Sequence, residues 1–102
     1  MNMPTPEELA QQILSTCLLI NTQGEWHAFL SLSGHVGEME VRLVPSDHDY
    51  QDMRYRCLTR KSVIYASTNR YPNPELTNEQ ARQRLSDLLA WTQGFLKIEA
   101  SA

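Results

Sequence analysis

The sequence predicts an α+β domain: an N-terminal helix, a three- to four-stranded antiparallel β-meander and a long C-terminal helix. Both helices are expected on one sheet face, as a two-layer sandwich. Three observations carry this. Capped stretches with apolar residues at helical spacing begin at Thr5 and Thr77, near the two ends of the chain. Between them, several segments alternate apolar and polar side chains at the period of a strand. A hairpin drawn between the first two of these segments makes their apolar faces coincide. The 102 residues suffice for one domain, spanning 1–102. A chain of that length buries roughly 65% of its unfolded surface, enough for a core without metals or disulfides.

Thr5-Pro6-Glu7-Glu8 is a helix start: Thr5 caps, Pro6 suits the first helical position, and Glu8 completes a capping box. Leu9, Ile13, Leu14 and Cys17 then fall on one face. The helix is expected to end between Ser15 and Ile20, with Leu18-Leu19-Ile20 as a last turn or a short strand. Asn21-Thr22-Gln23-Gly24 reads as a turn.

From Glu25 to Ser33, Trp26, Ala28, Leu30 and Leu32 point to one side, and Glu25, His27, Phe29 and Ser31 to the other. Gly34-His35-Val36-Gly37 suits a tight hairpin because glycine tolerates the positive φ such turns need. Glu38 to Val44 alternates again, with Met39, Val41 and Leu43 apolar. Folding about His35-Val36 sets Leu32 opposite Met39, Leu30 opposite Val41 and Ala28 opposite Leu43.

After a polar loop from Pro45 to Gln51, a third strand is expected from Asp52 to Thr59. Setting Arg42 against Asp52 brings Glu40 to Arg54 and Glu38 to Arg56, three matched charge pairs of ~0.2–1 kcal/mol each. The same register sets Val41 against Met53 and Met39 against Tyr55. Arg60-Lys61 then turns into a short fourth strand at Val63 to Ala66. Pro72 and Pro74 mark a loop, since neither has an amide proton. Thr77 with Gln80 forms a second capping box. Ala81, Leu85, Leu88, Leu89, Thr92, Phe95 and Leu96 make the stripe of the last helix, and Gly94 ends it or marks a close packing contact.

Catalytic or metal chemistry finds little support in this sequence. His27, His35 and His48 lack metal-ligand spacing. Asp47-His48-Asp49 with Asp52 lacks the central Gly and terminal Glu of a calcium loop. Cys17 and Cys57 lie on apolar faces and read as inert core thiols. No glycine-rich phosphate loop or nucleophile elbow occurs. The expectation is a non-enzymatic protein without a cofactor. With isolated cysteines and no long apolar stretch, it is expected in a reducing cytoplasm and not in a membrane.

Two surfaces remain. With both helices on one side of the sheet, Phe29, Val44, Leu58, Val63 and Tyr65 would share the other, a patch suited to a protein partner. The plainer account is that Arg42 and Arg56 lay their aliphatic stems across it. The segment bearing Arg54, Arg56, Arg60, Lys61 and Arg70, interleaved with tyrosines, is the alternative, a surface for nucleic acid or a phosphate ligand. The net charge of −3 weighs against it. The order helix, three strands, helix is similar to the double-stranded-RNA-binding domain in topology. That family closes with a lysine-rich helix, where this one begins Glu79-Gln80-Ala81-Arg82, so no function is carried over. The leading expectation is a homodimeric interaction module, similar in class to small acidic adaptors and secretion chaperones, using the outer sheet face or the edge of the fourth strand.

Overall fold

The structure, a computed structural model, describes residues 3–47, 59–69 and 72–96. Its elements follow in the order α1 (Pro6–Gln23), β1 (Trp26–Ser33), β2 (Glu38–Pro45), β3 (Arg60–Ile64) and α2 (Asn78–Gln93). The α+β class with an antiparallel sheet is therefore as expected.

α1 begins as its sequence dictates, with the Thr5 hydroxyl accepting from the Glu8 amide at 3.1 Å. Glu7 and Glu8 lie in the first turn, where carboxylates complement the helix dipole. The helix runs further than expected. Leu18-Leu19-Ile20 is neither a last turn nor a strand, because the helix continues to Gln23 and ends only at Gly24. Asn21, Thr22 and Gln23, which read as a turn, are accommodated inside it, as is the threonine before them. Thr16 donates to the Gln12 carbonyl at 2.8 Å and Thr22 to the Leu18 carbonyl at 3.0 Å, so the preceding turn satisfies each hydroxyl. Ile20, two turns beyond Ile13, is thereby brought onto the buried face with Leu9 and Cys17. Leu14, expected on that face, is instead exposed.

β1 and β2 pair antiparallel in the expected register, Ala28 opposite Leu43, Leu30 opposite Val41 and Leu32 opposite Met39. β2's other edge is occupied differently. The sheet order is β1-β2-β3, and β3 sets Val63 opposite Met39, Ser62 opposite Glu40 and Ile64 opposite Glu38. The expected charge ladder from Glu38 and Glu40 to Arg56 and Arg54 is thus displaced, since that edge belongs to Arg60–Ile64. The expected strand from Asp52 to Thr59 lies outside the described residues except for Thr59, whose carbonyl accepts from the Leu43 amide at 2.8 Å. Further bonds hold β3 in place: the Tyr65 amide donates to the Gly37 carbonyl at 2.8 Å, and Arg84 of α2 donates to the Ile64 carbonyl at 3.0 Å.

One core joins the helices to the sheet. Leu9, Ile13, Cys17 and Ile20 of α1 and Leu85, Leu88 and Leu89 of α2 pack with Met39, Val41 and Leu43 of β2. Gly94 ends α2 in a right-handed conformation, φ −62°. Tight-turn bonds from the Phe95 amide to Thr92 and from Leu96 to Gln93 continue the winding. Phe95 therefore still reaches the core, meeting Trp26 at 5.2 Å and Trp91 at 5.0 Å between ring centroids, both edge to face. Such pairs contribute ~0.5–1.5 kcal/mol each beyond area burial.

The capping box at the start of α2 is complete. The Thr77 hydroxyl accepts from the Gln80 amide at 3.0 Å, and the Gln80 side chain accepts from the Thr77 amide at 2.9 Å. Thr77→Ala is expected to lower stability by about 1 kcal/mol. Urea denaturation followed by circular dichroism measures this, with an unchanged m-value showing that only the cap was lost.

Candidate interaction surface

Among the described residues β1 is an edge strand, and the sequence contains a device that covers part of the edge. Asn21, one turn before the end of α1, reaches the backbone of Ala28. Its amide oxygen accepts from the Ala28 N–H at 2.7 Å, and its amide nitrogen donates to the Ala28 carbonyl at 3.3 Å. Both backbone groups of Ala28 therefore point away from β2. In an antiparallel ladder this orientation alternates, so Leu30 and Leu32 also turn their backbone groups outward. Among the described residues, none hydrogen-bonds to that side of Leu30 or Leu32.

Beside this open stretch runs one face of α1. Glu7, Ala10, Leu14, Leu18 and Asn21 follow at intervals of three or four residues and so share a face. Both ends of that face are located against β1. Asn21 bonds Ala28, while Glu7 and Ala10 line a cavity of about 270 Å³ together with Leu32, Met39, Tyr65 and Leu85. Leu14 and Leu18 lie between, along the strand. They are 46% and 59% exposed, and Leu32 is 62% exposed. No charged residue occurs from Leu9 to Gly24, and β1 itself has only His27. An edge strand is ordinarily guarded by charge, proline or a bulge; here only Ala28 is guarded.

The five residues expected on the outer sheet face are not brought together. Phe29 is there, half-exposed, with the Arg42 guanidinium 5.2 Å from its ring centroid. It is the guanidinium that lies over this ring, a contact of ~0.5–1 kcal/mol at an exposed site. Val44 lies on the same face, opposite His27, and is buried. Val63 and Tyr65 are on the other face, packed against the core. Their phase is the reverse of the expected one because β3 pairs directly with β2, which sets Val63 against buried Met39. Leu58 is outside the described residues.

Of the basic set, Arg54, Arg56 and Arg70 also lie outside the described residues. Arg60 is exposed and sits directly across from Arg42, while Lys61, opposite Val41, is half-buried. Arg42 turns to Glu40 at 3.6 Å, an ion pair too long for a hydrogen bond and worth little at the surface. His35 is in the hairpin turn, where its carbonyl accepts from Thr68 at 2.9 Å. His48, Asp49, Asp52 and Cys57 are not among the described residues, and Asp47 is exposed. Burial pushes the Cys17 thiol above its ordinary pKa, which holds it protonated at neutral pH. Among the described residues, no three His, Cys, Asp or Glu side chains are grouped to hold a metal ion. No described helix is long and apolar enough to cross a membrane.

Compared with family models, curated proteins and solved structures, the chain has no significant match.

Proposed function

We propose that this chain is a non-enzymatic protein-interaction module that associates with itself, in the manner of a small adaptor or chaperone. The observation that carries the reading is the uncharged apolar strip of Leu14, Leu18 and Leu32 beside the uncapped edge of β1. Exposed apolar side chains are ordinary when scattered. These three adjoin backbone groups that are unpaired among the described residues, so a partner gains hydrogen bonds and apolar burial together. The strip replaces the outer sheet face as the surface of interest. A reducing cytoplasm suits a module of this kind, with Cys17 unpaired and buried.

Light scattering at several protein concentrations tests the reading. The expected mass is twice that of the 11.7 kDa chain, falling toward the single-chain value on dilution. A strict monomer at every concentration would overturn self-association. Arg60 beside Arg42 on the outer face favours one other reading, in which Arg54, Arg56 and Arg70 join them in binding nucleic acid or a phosphate ligand, while Lys61, opposite Val41, is on the other face. Affinity for a single-stranded oligonucleotide that falls steeply with added salt would favour it.

A further inference from the structure

We infer that the second copy adds its own β1 to this one, strand to strand, in a single register centred on Ser31. The inference rests on the self-association reading and names its interface. Among the described residues, Leu30 and Leu32 are the outward-facing, uncapped residues between the hairpin turn and Ala28, which Asn21 already occupies. A twofold axis requires the same surface on both copies, and outward backbone groups must meet outward groups. Setting Leu30 against Leu32 of the second copy satisfies both conditions and pairs both of these positions. Moving the axis to Leu30 sets Leu32 against Ala28, where Asn21 stands. Moving it to Leu32 sets Leu30 against Gly34, which is in the hairpin turn. The Asn21 clip thus selects the register by blocking its neighbours.

Charge favours a second copy as the occupant. From Leu9 to Gly24 and along β1 there is no carboxylate, lysine or arginine, and Glu7 at the end of the α1 face is exposed, so two such edges meet without burying a charge. A charged partner has only Glu7 here to recognise. In this register the inner face of the seam joins Leu30 to Leu32 twice, beside Leu14 and Leu18 of each α1. The outer face sets Phe29 against Ser33 and Ser31 against itself. The two three-stranded sheets become one of six strands.

Ser31→Cys tests the register, because Ser31 is exposed and meets its own copy as a pair without backbone bonds between the two. The Cα separation of such a pair, about 4.5 Å, is within disulfide reach. Mild oxidation of the Ser31→Cys protein is expected to give a mostly disulfide-linked dimer. Ser33→Cys and the wild-type chain are expected to stay largely unlinked, since Ser33 lies two residues off the axis. Leu32→Lys, at a residue already 62% exposed, is expected to raise the dimer dissociation constant at least tenfold while leaving circular dichroism unchanged. A wild-type dimer in which Ser31→Cys links no faster than Ser33→Cys would overturn the edge pairing and leave self-association standing. A wild-type dimer whose dissociation constant Leu32→Lys leaves unchanged would do the same. A wild-type monomer would overturn both.

Discussion

Leu88→Ala is expected to destabilise the fold by about 3 kcal/mol, within the range of 2–5 for a buried leucine, while Leu18→Ala changes it by less than about 0.5 kcal/mol. The two substitutions delete the same atoms from a helix. They differ in what surrounds those atoms. Leu88 is 0% exposed and belongs to the cluster that joins α1, α2 and β2, whereas Leu18 is 59% exposed. Removing the Leu88 side chain forfeits its transfer out of water and leaves a cavity that the flanking helices close only in part. For a domain of this size that corresponds to a midpoint lower by about 15 °C. Urea titration at low protein concentration, followed by tryptophan fluorescence, separates the two, with the m-value expected to hold. A loss under about 1 kcal/mol for Leu88→Ala would mean that α2 does not pack as described. The Leu18 result has a second use. If Leu18 lies along a seam between two copies, the penalty of Leu18→Ala should grow with protein concentration, because association stabilises the folded form by mass action.

The hairpin register was legible because two signals agree in it. Leu30, Leu32, Met39 and Val41 face one way only if the chain turns at His35-Val36, and a one-residue slip would put that whole set on the wrong side. The register of the third strand was misread because it was inferred from charge. Three exposed pairs contribute ~0.2–1 kcal/mol each, too little to hold an edge against a strand that sets Val63 over Met39 and ties Tyr65 to Gly37. The phase of Val63 and Tyr65, and with it the outer-face patch, fell with that register. The end of α1 was hidden because Asn21-Thr22-Gln23-Gly24 reads as a turn, although a threonine hydroxyl such as Thr22's can bond back to the preceding turn. The strip of Leu14 and Leu18 was missed for a related reason. Leu14 has the spacing of a core residue, and the signal that marks the strip is the absence of charge from Leu9 to Gly24. The Asn21 clip had no sequence signature, since its partner is backbone seven residues away.

Gly37→Ala is expected to lower stability by about 3 kcal/mol, the sum of a strained backbone and a blocked contact of ~1–2 kcal/mol each. The sequence assigned positive φ to the glycines of the turn; of the two, Gly37 alone adopts it, at 65°. A Cβ there would also collide with the carbonyl oxygen of Ala66. That oxygen belongs to backbone, which cannot rotate away as the tip of a flexible side chain would. The approach is close because the Tyr65 amide bonds the Gly37 carbonyl, so relieving the collision means loosening the join between the hairpin and the chain leaving β3. Gly24 separates the two contributions. It has φ 83° with nothing within 4 Å of an added Cβ, so Gly24→Ala should show the backbone strain alone, about 1 kcal/mol. Thermal unfolding of both variants is the measurement, with midpoints expected to fall by about 15 °C and about 5 °C respectively. Equal losses would show that the chain at Ala66 yields at little cost and that only the left-handed conformation requires glycine at position 37.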